Sequence, residues 1–169
     1  LNVNVKNTGY SLKPSVNIYD FFVSKSGTTP KATFSVVIKV NPDVALVGFA
    51  NMSFNSGNTA GMVIDNRWNV KSLTIENHGV IVGAGGAGST YGKNAAIMTD
   101  GWDGQPGIIN NSSVAVKVTN YGIVAGGGGG GAGAHWASMQ HGGSGGGGGA
   151  PFGALGYGTM GKHGTRAEF

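Results

Sequence analysis

Cysteine is absent from the chain, so neither a disulfide framework nor a thiolate metal site can organise it. Charge is scarce as well. Only 11% of residues are charged, against roughly 25% in ordinary domains. The formal balance of +4 is spread over scattered Lys and Arg, with no basic run interleaved with aromatics, which argues against nucleic acid as a partner. No apolar stretch approaches the roughly 20 residues of a membrane-spanning helix, and no signal-peptide pattern is present. No stretch combines helical periodicity with start and stop signals, so residues 1–70 are expected to hold essentially no helix.

The chemistry of catalysis is thin too. The seven acids are scattered, and only Asp100 and Asp103 lie close, flanking Gly101-Trp102. That pair reads as a solvated turn. His135 and His141 bracket a short segment but bring too few further ligands for a metal site. No catalytic residue, metal ligand or cofactor site is assigned, and the chain is not expected to be an enzyme. The fragment Val80-Ile81-Val82-Gly83-Ala84-Gly85-Gly86-Ala87-Gly88 fits the dinucleotide fingerprint G-x-G-x-x-G after a strand. The helix that fingerprint requires does not follow, because Gly101, Gly104, Pro106 and Gly107 break what comes next.

What the chain has in excess is glycine, 34 of 169 residues against about 7% usually. Five glycines precede His78 and 29 follow it, which divides the chain into two regimes. The first holds alternating segments, Leu1 to Val5, Val16 to Tyr19 and Ala32 to Val40, the period of half-buried strands, and shorter strands at Val44 to Phe49 and Met62 to Ile64. Phe21, Phe22, Phe34, Val36, Ile38, Phe49 and Phe54 are the core candidates. Residues 1–70 are therefore expected to form a small β-domain acting as a mount, and residues 71–169 a separate glycine-rich domain. The start at Leu1, without methionine, suggests a piece of a longer protein.

The second regime repeats itself. Leu73 to Val82 realigns with Val116 to Ala125, each copy being a strand, an Asn-x-Gly turn, an apolar strand and then a glycine run. Asn and Gly tolerate positive φ, so Asn77-His78-Gly79 and Asn120-Tyr121-Gly122 suit tight turns or bulges. Repeats of this kind bury an apolar face only by stacking, so the two copies should lie side by side. Six glycines in a row, Gly126 to Gly131, are expected to be the organising element. At a rise of about 3.1 Å the run would span roughly 19 Å as an extended three-residue helix without internal hydrogen bonds. Ordering it costs about 1–2 kcal/mol per residue in backbone entropy, so several runs must share hydrogen bonds for any to be stable.

Strand, Asn-x-Gly, apolar triplet, glycine run and aromatic-bearing insertion together resemble the glycine-rich receptor-binding adhesins of T-even-type bacteriophage long tail fibres. Similar modules end the tip-attachment proteins of lambda-like siphophages. The resemblance covers about residues 70–161 and is sharpest at Thr119 to Gly128 and Ile75 to Ile81. It implies a mainly β protein with a sandwich of packed polyglycine-II helices and exposed loops. It further implies a place at the virion tail tip and adsorption to a bacterial outer-membrane protein. Partners would be that receptor and the rest of the fibre or tip, with a homotrimer within the fibre one arrangement it allows.

The receptor-facing insertions would be Ser89 to Asn94, Thr99 to Gln105, Ala134 to His141 and Ala150 to Lys162. Their large apolar residues are Tyr91, Trp102, Trp136, Met139, Phe152, Leu155, Tyr157 and Met160. These are the candidate receptor-binding residues, because a glycine sandwich offers no side-chain core to receive them. A glycan-binding tail spike and an ice-binding or structural glycine-rich protein are the alternative readings.

Overall fold

The computed structural model describes residues 11–49, 59–88, 101–132 and 149. The expected strand at Leu1 to Val5, and Phe54, lie outside them. In chain order the elements are β1 (Ser11–Pro14), β2 (Val16–Asn17), α1 (Ile18–Ser26), β3 (Ser35–Val40), β4 (Val44–Val47), β5 (Met62–Ile64), β6 (Ser72–Asn77), β7 (Val80–Val82), β8 (Ile108–Asn110), β9 (Val116–Asn120) and β10 (Ile123–Ala125).

The chain visits three sheets in strict rotation. One sheet has the order β1-β4-β7-β10, the second β2-β5-β8 and the third β3-β6-β9. Every pairing is parallel. Successive coils therefore stack strand on strand, which is the solenoid solution for repeats that cannot bury a face alone. The protein is mainly β, as its alternating segments imply. The side-by-side placement of the two sequence copies is also observed: Leu73 pairs with Val116 and Val80 with Ile123.

Inward positions form columns along the stack. Val36, Leu73 and Val116 make one column, and Ile38, Ile75 and Val118 the next. Leu46, Ile81 and Val124 run up another sheet. Val36, Ile38, Leu46, Leu73, Ile75 and Ile81 of these columns enclose one core with Met62 and Ile64, and Val116 packs against it, so strands on both sides of residue 70 contribute. Each fully buried aliphatic side chain there contributes roughly 1.5–3 kcal/mol. The middle of the β4 sheet is buried on both faces, since Ala45, Val47, Val80 and Val82 form a second cluster on the opposite side. Of the core candidates, Phe22, Val36 and Ile38 are buried, and Phe34 packs against the core from its edge.

The expectation of no helix before residue 70 is overturned by α1. Its signals are all present in the sequence. Asn17 caps the N-terminus by accepting from the Tyr19 N–H at 3.0 Å, Asp20 sits in the first turn and Lys25 in the last. Gly27 ends the helix at φ 67°, its N–H returning to the Val23 carbonyl at 2.9 Å. The helix is only nine residues long, and Val16-Asn17-Ile18-Tyr19 imitates strand alternation at its start. Ile18 and Phe22, four apart on one face, enter the core. Phe22 and Tyr19 both meet Trp68 edge-on, at 5.6 and 5.9 Å between ring centroids.

The two Asn-x-Gly segments differ from expectation in their physics. They are corners between sheets, and neither glycine has positive φ; among the described glycines only Gly27 does. Glycine is needed there for space. A Cβ on Gly79 would stand 2.2 Å from the Val44 carbonyl oxygen, and one on Gly122 would stand 2.0 Å from that of Gly79.

Candidate functional site

Beyond the β7 and β10 strands the chain leaves the solenoid as glycine-rich runs, and these bond to one another at intervals of three residues. Gly83 and Gly86 donate to the carbonyls of Ala125 (3.0 Å) and Gly128 (2.8 Å), so the run after β7 and the run after β10 are parallel. A third run returns between them. Trp102 and Gln105 donate to Ala87 and Ala84, and Gly127 and Gly130 donate to Gln105 and Trp102, each at 2.8 Å. Both patterns are antiparallel. Gly149 joins the same bundle, its N–H donating to the Gly86 carbonyl at 2.8 Å.

The third run, Gly101 to Gly107, is not legible as one in the sequence, where its glycines read as breakers and Thr99 to Gln105 as a loop. The signal is the spacing: glycine at 101, 104 and 107 has the three-residue period of the extended helix. A Cβ at Gly101 would lie 2.1 Å from the Gly130 carbonyl oxygen, and one at Gly104 2.0 Å from that of Gly127.

The centre of the bundle also differs from expectation. Gly83, Gly85, Gly86 and Gly88 are buried, whereas the six-glycine run is exposed except at Gly127 and Gly130. The buried run bonds to four neighbours: the runs of Trp102, Gly128 and Gly149, and Thr59, whose carbonyl accepts from the Ala84 N–H at 3.0 Å. The diluted glycine segment is thus the hub, and the homopolymer is its outer partner. With the Gly83 and Gly86 amides committed to Ala125 and Gly128, these glycines serve the bundle.

Of the eight candidate receptor-binding residues, Trp102 falls within the described chain. Its backbone is fixed on both sides, to Ala87 and Gly130, while its side chain is 47% exposed beside exposed Asp103. Trp102 therefore sits on a run instead of a loop. Tyr91, Trp136, Met139, Phe152, Leu155, Tyr157 and Met160 lie outside the described residues, as do Asp100, His135 and His141. No group of three or more metal-ligating side chains occurs among the described residues.

At the other end of the strands a side-chain cluster closes the corners. Asn77 is fully buried, and its Nδ2 donates to the side-chain oxygen of Asn120 (2.7 Å) and to the carbonyls of Ile123 (3.1 Å) and Gly79 (3.3 Å). Its own oxygen accepts from the Gly79 N–H at 3.1 Å. Outside this pair, His78 stacks on Tyr121 at 4.8 Å and reaches Glu76 at 2.8 Å, and Lys39 completes the row. Hydrogen bonds from His78, then Lys39, hold the Glu76 carboxyl below its ordinary range.

Three-sided coil, glycine bundle and Asn-x-Gly corners all belong to one continuous design, and a single family description spans it. The model of the phage tail fibre adhesin Gp38 family matches residues 1–169. The chain belongs to that family. The match includes the first 70 residues, which the resemblance in sequence leaves outside. No curated protein and no solved structure matches the chain significantly. As a phage tail fibre adhesin it is a component of the virion tail, associates with the rest of the tail fibre and serves host recognition.

Proposed function

We propose that this adhesin binds a bacterial outer-membrane protein through the far end of its glycine bundle, without catalysis, while the solenoid serves as the mount toward the fibre. The observation that carries this reading is the order of the described runs. Gly88, Gly101 and Gly130 stand together at one stiff edge of the bundle, where the backbone of Trp102 bonds both Ala87 and Gly130 at 2.8 Å. In sequence, segments 89–100 and 133–148 follow the runs that reach that edge, and they carry Tyr91, Trp136 and Met139. Trp102, exposed on the returning run, lies next to that edge. In this reading the bundle is a polyglycine-II sandwich.

A stiff support favours binding, because ordering mobile segments would subtract from affinity. Large aromatics on it are the residues that most often dominate interfaces. The reading is tested by adsorbing the purified protein to host strains that each lack one major outer-membrane protein. Loss of adsorption to a single deletion strain supports it. Adsorption that survives every protein deletion but disappears when surface glycans are oxidised assigns the site to sugar.

A further inference from the structure

Stacking of the coils gathers lysines that are scattered in the sequence. Lys31, Lys71 and Lys117 fall on three successive coils, each near the start of a strand in the β3-β6-β9 sheet. Lys31 lies in the turn before β3. Its carbonyl accepts from the Phe34 N–H at 2.8 Å, and its Nζ stands 5.9 Å from the centroid of the Phe34 ring. Lys71 immediately precedes β6, and its N–H donates to the Phe34 carbonyl at 2.8 Å. Lys117, second in β9, shares an outward column with Val37 and Thr74. All three lysines are exposed, and none has a carboxylate partner among the described residues.

The described acids are elsewhere or already committed. Arg67 holds Asp20 and Asp65, while Lys39 at 3.3 Å and His78 at 2.8 Å hold Glu76. Asp43 lies in the corner beyond β3, and Asp103 lies in the bundle. A chain with only 11% charged residues thus places three unpaired positive charges on one side of one sheet. Like charges on neighbouring strands repel, and natural proteins keep such local conflicts at functional sites. Ser35, Ser72 and Thr74 share this outward face with them.

We propose that this face contacts a phosphate-bearing polysaccharide on the host surface, its lysines pairing with phosphates and its hydroxyls bonding the sugars. Composition favours that partner over an acidic surface on the fibre. The cores of protein interfaces are depleted in lysine and serine and enriched in aromatics, and this face has the reverse balance. Spacing agrees. Neighbouring strands stand about 4.8 Å apart and residues advance about 3.3 Å along each, which puts Lys117 roughly 11 Å from Lys71. Charges spread in this way meet successive phosphates of an extended polyanion. Because the lysines are exposed, each pairing is weak and screened by salt, and their joint effect is to speed encounter with the cell. The inference rests on the host-recognition role of the family and stands apart from what the bundle binds.

The full-length chain is tested for binding to immobilised, purified lipopolysaccharide and to the same material after removal of its phosphates. Neither surface contains an outer-membrane protein, so the outcome does not depend on the receptor reading. Wild type is expected to bind the phosphorylated form at low ionic strength, and roughly tenfold more weakly at high salt or after dephosphorylation. Lys31→Gln combined with Lys71→Gln and Lys117→Gln should weaken binding by a similar factor, with Tm near wild type. Wild-type binding that ignores both salt and phosphate removal overturns the proposal, as does no binding at low ionic strength. So does a triple variant that binds as wild type does. A triple variant that keeps lipopolysaccharide binding but no longer assembles with the rest of the fibre also overturns it, by assigning the lysines to an acidic protein surface.

Discussion

Asn77 on one coil gives its side-chain N–H to the side-chain oxygen of Asn120 on the next, at 2.7 Å. The inner partner is wholly buried and the outer one exposed. Each side chain also bonds around its own corner, to Gly79 and Gly122 respectively. The pair therefore fixes corner shape and coil register together.

The asymmetry in burial predicts an asymmetry in cost. Asn77→Ala strands the buried Gly79 N–H and removes the bonds to Asn120 and the Ile123 carbonyl, and a buried unsatisfied group costs about 1–3 kcal/mol. A loss of about 3 kcal/mol is expected by urea denaturation. Asn120→Ala leaves Asn77 with the carbonyls of Gly79 and Ile123 still to satisfy its N–H group, so its cost should be about 1 kcal/mol.

Acid should loosen the attachment of α1. The Asp65 carboxylate accepts from Asn17 Nδ2 at 2.8 Å and from Arg67, whose guanidinium also reaches Asp20 at 2.8 Å and lies over the Tyr19 ring. Burial pushes the Asp65 carboxyl up, but hydrogen bonds from Arg67 and Asn17 outweigh it and leave the group below its ordinary 3.8. A depressed folded value means stability that is fully present above 3.8 and lost as pH falls through the folded value. Asp65→Asn should therefore be less stable than wild type at neutral pH, with the gap closing below about pH 4. Glu76 titrates in the same sense, so the variant keeps part of the acid sensitivity. Urea midpoints measured at neutral pH and near pH 3 check this.

Most strands were legible from alternation or from short apolar runs: Met62 to Ile64 and Val80 to Val82 coincide with their expected spans. What alternation cannot reveal is which strands pair. Adjacent strands such as β6 and β7 look like a hairpin in sequence but belong to different sheets, since their partners come from the neighbouring coils. The helix was hidden by its brevity. The third glycine run was hidden by Trp102, Asp103, Gln105 and Pro106, whose side chains occupy the outward positions of a three-residue repeat. At the candidate site the glycine hub and Trp102 lie within the described residues. The other aromatics follow from their positions between the glycine runs.

Candidate anchors should separate from structural aromatics in paired assays. Trp136→Ala and Tyr157→Ala are each expected to weaken adsorption by about 2 kcal/mol or more if they are central anchors, with Tm near wild type. Adsorption isotherms and thermal melts on the same preparations check both readouts. Unchanged adsorption in both variants, or loss of folding instead, would contradict the receptor-binding reading.

Identical glycines should not be equivalent. In the run Gly126 to Gly131, a Cβ on Gly127 would meet the Ala84 carbonyl oxygen at 1.9 Å, and one on Gly130 would meet that of Ala87 at 1.9 Å. The corresponding nearest atoms for Gly126 and Gly129 stand at 3.5 and 3.9 Å. Neither has positive φ, so alanine is sterically and conformationally acceptable at both. Alanine there also reduces the freedom of the unfolded chain, which stabilises by about 0.4–1 kcal/mol. At Gly127 and Gly130 the obstacle is backbone that is itself hydrogen-bonded, so it yields only by opening the bundle, at about 3 kcal/mol or more. Four single alanine variants should thus split with the three-residue period: Gly126→Ala and Gly129→Ala at or above wild-type stability, Gly127→Ala and Gly130→Ala well below it. Uniform tolerance across the four would mean the run lies free on the surface, and uniform loss would mean it is buried on every side.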